Sequence, residues 1–145
     1  MKDAYVKNAT DVRKEWSSVI NGAIRVRPQF IRRTREEMVL INLHHLETVL
    51  DAYKYTAHKI VEDDGSVTLS LNEIDLAENG TDESEVKYAL AESILEYAED
   101  YYDNFPLYNM SPNRKDHVPY VLKALILNNP EMVSGLITVH QDGEN

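Results

Sequence analysis

The sequence predicts an α+β fold built as two modules, and three observations carry that prediction. Apolar residues recur at the two-residue spacing of strands in some stretches, as at Val67, Leu69 and Leu71, and at helical spacing in others, as at Val86, Leu90, Ile94, Tyr97 and Tyr101. The 145 residues, 43% of them hydrophobic, are enough for one ordinary domain or for two small modules. Charge is unevenly placed: residues 1–50 hold nine Lys/Arg against six Asp/Glu, a net of +3, while residues 51–145 hold six against nineteen, a net of −13. Such asymmetry fits a basic part that meets a polyanion and an acidic part that meets something basic or keeps the protein in solution.

Taken in order, residues 4–7 read as a short strand. Asn8 is placed to cap a first helix, with Asp11 three residues on as a variant capping box. Val12, Trp16, Val19, Ile20 and Ala23 share one face of that helix, and Gly22 is expected to end it. After Pro28, residues 29–33 and 37–41 form two apolar runs about Thr34, Arg35 and Glu36, a hairpin with a basic turn. Asn42 caps a second helix, whose Leu43, Leu46, Leu50, Tyr53, Ala57 and Ile60 make a buried stripe through to Val61. Glu62, Asp63, Asp64 and Gly65 form the turn taken as the module boundary, giving modules 1–60 and 61–145.

The second module opens with a half-buried strand at 66–71, and Asn79-Gly80 marks a turn. Thr81 and Asp82 begin the strongest helix in the chain, with Glu83 and Glu85 where the helix dipole favours anions. Residues 103–113, with Pro106 and Pro112, are expected to be irregular. Val118, Val121, Leu122, Leu125 and Ile126 form a last helix, stopped by Asn128-Asn129-Pro130, and residues 136–139 a closing strand.

Composition excludes much. Without cysteine there are no disulfides, thiolate zinc sites or thiol nucleophiles, and a reducing compartment is expected. No stretch approaches the roughly 18 apolar residues of a membrane span, and residues 1–8 lack the apolar core of a secretion signal, so a cytoplasmic protein is expected. Five glycines provide no phosphate-binding loop, and no serine sits in a nucleophile elbow. His44 and Glu47, three apart on a helix, are two ligands without a third. Glu92, Glu96, Glu99, Asp100 and Asp103 lie around the polar face of one helix, where acid–base chemistry would need two differently buried carboxyls. No catalytic residue, metal or cofactor is expected.

The basic cluster is the remaining candidate. Lys7, Arg13 and Lys14 lie near the start of the first helix, and Arg25, Arg27, Arg32, Arg33 and Arg35 before and on the hairpin. If the two lie side by side, backbone amides, the helix dipole and several guanidiniums converge on one surface, as phosphate positioning requires. Arginine also reads guanine bidentately.

Residues 5–50 resemble the N-terminal domain of the Phd/YefM antitoxins: a strand, the run Asn8-Ala9-Thr10-Asp11-Val12-Arg13, a helix, an Ile31-Arg32-Arg33 turn, and a Met38-Val39-Leu40-Ile41 strand entering a leucine-rich helix. Arg35 stands where the family's hairpin has glycine, and Arg25 and Arg27 are additional. The resemblance implies that Arg13 and Arg32 contact operator DNA, with Asn8 and Lys14 beside them; Arg33 and Arg35 join these candidates from the basic hairpin, and a homodimer is expected because a module of about 60 residues buries too little surface alone. Residues 66–101 resemble, more loosely, the HicB-like antitoxin module, through the strand, the Asn79-Gly80-Thr81-Asp82 turn and the helix after it. Phd/YefM proteins usually end in an unfolded tail, whereas the apolar periodicity here is enough for a folded C-terminal module.

The implied function is a type II antitoxin that neutralises a toxin, an RNA-cleaving enzyme by expectation, and represses its own operon. Tyr101, Tyr102, Phe105 and Tyr108, beside the acidic helix face, are the candidates for contact with a basic protein toxin. The alternative is a non-enzymatic protein-interaction module without DNA binding.

Overall fold

The computed structural model describes residues 1–141, and the chain divides into two compact units, Met1–Val49 and Leu50–Asn145. The α+β class holds in both.

The first unit opens with a 3-10 turn at Asp3–Tyr5 and strand β1 (Val6–Asn8). β1 lies parallel to β2 (Gln29–Arg33), and β2 pairs antiparallel with β3 (Glu36–Leu40), giving the order β1-β2-β3. Between β1 and β2 run α1 (Ala9–Lys14) and α2 (Trp16–Arg25). The single helix expected here is interrupted at Glu15, whose φ of −114° and ψ of 32° are not helical. Val12 and Val19, one from each helix, then bury against Ile31, with Ala9 and Leu40 beside them. Trp16, expected on the buried face, is half exposed at the interruption.

Gly22 does not end the helix, which continues to Arg25. A Cβ there would stand 3.1 Å from Gln29 Nε2, so the bare Cα lets α2 close on the first residue of β2. Asn42 opens α3 (Leu43–Leu50): its Oδ1 accepts from His44 N at 2.9 Å and its Nδ2 donates to Ile24 O at 2.8 Å.

The largest departure from expectation follows. The helix predicted through Val61 stops at Leu50, and β4 (Tyr55–Val61) replaces its second half. Tyr55 and Ala57 bury fully while Thr56 and His58 face the other side. β4 lies between antiparallel β5 (Val67–Leu71) and parallel β7 (Ile137–Gln141), so both of its edges find backbone partners. The boundary expected at 60/61 therefore falls at the end of this strand, and the compact units divide between Val49 and Leu50.

The second unit is a four-stranded sheet of order β6-β5-β4-β7. Its edge strand β6 (Ala77–Gly80) contains the Asn79-Gly80 pair expected to be a turn. Asp82 caps α4 (Glu83–Asp103), its side chain accepting from Glu85 N at 2.9 Å. α5 (Phe105–Met110) occupies part of the stretch expected to be irregular. A 3-10 turn at Lys115–His117, α6 (Val118–Leu127) and α7 (Pro130–Leu136) follow.

Asn128, at φ 43°, ends α6 in the left-handed conformation, and the next two residues also start α7. Asn129 accepts from Met132 N at 3.0 Å, and Pro130 takes the first helical position, where a missing N–H costs nothing. Tyr55, Leu69, Leu90, Ile94, Tyr101, Val121 and Val133 form the fully buried centre between sheet and helices.

Candidate nucleic-acid and partner interfaces

The first unit places its predicted basic residues in two groups. Asn8 and Arg32 are register partners on β1 and β2, so the two strands present them side by side. Asn8 Oδ1 accepts from Thr10 N at 2.9 Å, and the start of α1 is thereby capped by the chain itself. Arg32 donates to Asp3 Oδ1 and to Glu37 Oε1, each at 3.3 Å, and Arg33 donates to Glu36 Oε2 at 2.7 Å. These exposed pairs are worth about 0.2–1 kcal/mol each, so a phosphate can displace the carboxylates cheaply. Thr34 and Arg35 form the two-residue turn between them; Thr34 has φ 58°, a strained value for a β-branched side chain.

Arg13 and Lys14 form the second group. The sequence placed them near a helix N-terminus, but α1 has only six residues and both lie in its last turn. The helix dipole favours cations there, so it holds the charges in place rather than helping them bind an anion. With Glu15, Trp16, Ser17 and Ser18 they line a shallow concavity where α1 meets α2. Among the described residues neither Arg13, Lys14 nor Arg35 forms an ion pair.

Sequence reasoning missed how much apolar surface this unit leaves out. Tyr5, Trp16, Ile24, Val26, Met38 and Val39 are all exposed, Val26 to 75%. The signal was present in the sequence, since a segment of about fifty residues cannot bury every apolar side chain it carries. A cavity of about 610 Å³ lies between α2, the start of β2 and Tyr5, bordered by Lys7, Arg25 and Arg27, and the Arg27 guanidinium stands 5.9 Å over the Tyr5 ring.

In the second unit the four aromatic candidates separate. Tyr101 is fully buried, donating from its hydroxyl to Arg114 O at 2.9 Å, and burial pushes its pKa up. It is therefore core, not contact surface, because its ring anchors Phe105 and Tyr108 at centroid distances of 5.2 and 5.4 Å. Those two are half-buried, and Tyr108 donates to Asp100 Oδ2 at 2.7 Å while the Arg114 guanidinium lies 4.3 Å over its ring. Tyr102 alone of the four projects into solvent. Next to this cluster Tyr97 Oη and His117 Nδ1 are 2.6 Å apart, and burial holds the His117 imidazole below its ordinary pKa.

His44 and Glu47 are 3.9 Å apart and both exposed, and among the described residues no three His, Asp or Glu converge as metal ligands. Lys123 is buried, but its Nζ donates to Tyr53 O at 2.7 Å and ties α6 to the residues before β4. Among the described residues no helix is long and apolar enough to cross a membrane.

The chain thus joins a small basic unit that leaves much apolar surface exposed to a larger acidic unit with an extensive core. The chain belongs to the PHD_like family, antitoxins of RelE/RelB toxin–antitoxin systems, whose family model matches residues 2–139 and so runs through both units. The crystal structure of the antitoxin part of a proposed toxin/antitoxin system from Syntrophomonas wolfei subsp. wolfei is similar at TM-score 0.89 and 33% identity, covering 97% of this chain and 99% of that one. No curated protein matches. The protein is thus an antitoxin of a toxin–antitoxin system, and a cognate toxin is its partner.

Proposed function

We propose that this antitoxin neutralises its toxin, an RNA-cleaving enzyme, by direct binding, and represses its own operon by binding operator DNA as a homodimer through a Phd/YefM-like first unit. One observation carries the reading. The change of charge sign coincides with the structural division: residues 1–49 carry +3 and residues 50–145 carry −13. A unit of −13 repels a nucleic acid and attracts the basic surface with which a ribonuclease holds its substrate. The first unit is the part suited to DNA, and its exposed Ile24, Val26, Met38 and Val39 give a second copy something to bury. A symmetric pair would set two copies of Arg13 and Arg32 on adjacent half-sites. The HicB-like character of the second unit belongs to the same reading, as does its place in the cytoplasm, where both operon and RNA are found.

The test is a mobility shift on the operon's own promoter DNA with the full chain. Arg13→Ala, at an exposed position with no ion pair among the described residues, is expected to lower the slope of log affinity against log salt by about one per site if it holds a phosphate. If it holds a base, the loss is about 1–3 kcal/mol with relaxed sequence preference. The carboxylates on Arg32 and Arg33 favour a second reading, a protein-interaction module without DNA affinity. Wild-type protein that fails to shift this DNA at low salt would establish that alternative.

A further inference from the structure

Three exposed apolar side chains in the second unit lie outside its core: Tyr102 at the end of α4 is 62% exposed, and Leu107 and Met110 on α5 are 68% and 83% exposed. Leu107 and Met110 are three residues apart and so share one face of α5. The opposite face holds Phe105 and Tyr108, stacked edge-on against buried Tyr101. The junction of the two helices is tied as well. Asn104 N donates to Asp100 O and Tyr101 O, Asn104 Nδ2 donates to Asp100 O at 2.9 Å, and Tyr108 Oη closes on Asp100 Oδ2. The apolar side chains are therefore presented on a fixed helix, and their exposure is not fraying.

Charge beside them indicates what covers them. Glu92, Glu96, Glu99 and Asp103 follow one another at intervals of four, three and four along the exposed face of α4, ending where Tyr102 begins the apolar group. Among the described residues none of the four is ion-paired. An apolar contact flanked by free anions over about three turns of helix fits a partner whose own apolar patch is bordered by lysines and arginines.

We propose that the α4–α5 elbow, with Leu107, Met110 and Tyr102 as anchors and the Glu92–Asp103 face as its steering border, is the surface that receives the basic toxin. This rests on the toxin-binding reading above and assigns it to residues. The acidic border sets the rate of encounter, and the three apolar side chains set the lifetime of the complex.

The experiment measures binding of the full chain to the purified, catalytically inactivated toxin encoded in the same operon, by surface-based kinetics at two salt concentrations. The double variant Leu107→Ser/Met110→Ser is expected to weaken binding by about 30-fold or more, mainly through faster dissociation, as loss of buried anchors does. The triple variant Glu92→Gln/Glu96→Gln/Glu99→Gln is expected to slow association about tenfold at low salt and to leave dissociation unchanged. All five positions are exposed, so unaltered circular dichroism and melting should accompany both. Wild-type chain that does not bind the toxin overturns the toxin-binding reading and this assignment together. Wild-type binding with both variants equal to it overturns the assignment alone. A change in the chain's own oligomeric state in the double variant, with toxin binding intact, shows that a second copy covers the elbow and likewise overturns it.

Discussion

Among the described residues of the second unit seventeen buried side chains form one continuous core between a four-stranded sheet and the helices α4, α6 and α7, whereas the corresponding cluster of the first unit consists of Val12, Val19 and Ile31. The first unit nonetheless carries as many large apolar residues on its outside as the second, which is about twice its length. Burial thus distinguishes the two more sharply than composition does. The second unit has a large core of its own, and the first leaves most of its large apolar side chains outside a small one, which is what the proposed pairing with a second copy would cover.

The harshest test of that contrast is Leu90→Ala in α4. Leu90 is fully buried, and removing most of its side chain from a closed core is expected to cost about 2–5 kcal/mol. Urea unfolding followed by circular dichroism should show the loss. The single tryptophan, Trp16, lies in the first unit, so its fluorescence should report a transition that the substitution leaves in place. A common shift of both signals would mean that the units unfold as one.

Dilution comes next. If the first unit closes by pairing, each tenfold dilution should reduce its stability by about 1.4 kcal/mol per mole of dimer, seen as a falling midpoint of the Trp16 transition. The second unit's transition should not move with concentration. A Trp16 midpoint that stays constant from micromolar to nanomolar protein would show that its small core is sufficient.

Thr34→Gly should act in the opposite direction and more weakly. Thr34 has φ 58°, where a β-branched residue is strained and glycine is not, so the hairpin should gain about 1 kcal/mol. The gain should appear in the first unit only. No change, or a loss, would mean that contacts of the threonine side chain outweigh its backbone strain.

The smallest effect is one of acidity. Burial lowers the His117 pKa below its ordinary 6.5, so the unfolded chain binds a proton that the folded chain resists. Stability of the second unit should be intact above pH 6.5 and decline as pH falls from there towards the folded value. His117→Gln should flatten that decline in urea titrations between pH 7 and 5.5, and an unchanged slope would assign it to other groups.

What could be read from the sequence, and what could not, follows the same division of physical causes. Caps and stripes that act locally were legible: Asn8, Asn42 and Asp82 each accept from the backbone of the helix they precede, and α4 buries Val86, Leu90 and Ile94 as its spacing requires. The stretch 43–61 was not, because Leu50, Tyr53, Ala57 and Ile60 satisfy helical spacing while Tyr55 and Ala57 also satisfy that of a strand. The decision is made by β5 and β7, distant partners that a local pattern does not contain. β6, with the sequence Ala-Glu-Asn-Gly, has little strand preference and exists because β5 offers it an edge. Of the candidate contacts, the basic residues were placed on real surface, but Tyr101 was misread because an aromatic at a helix end looks the same in sequence whether it faces in or out. Leu107 and Met110 were overlooked for the converse reason: Pro106 made a six-residue helix look irregular, although proline suits a helix's first turn.

The parallel pairing of β4 with β7 has a consequence in time. Tyr55 is the first residue of the sheet to leave the ribosome, and its register partner Ile137 is among the last of the described residues to do so. During synthesis β4 can zip to β5 across a short turn at once, while its other edge waits for the whole of α4 to α7 to be made and docked. The second unit therefore matures from one side of its sheet to the other, and the strand that completes it is the last of the described strands to be translated.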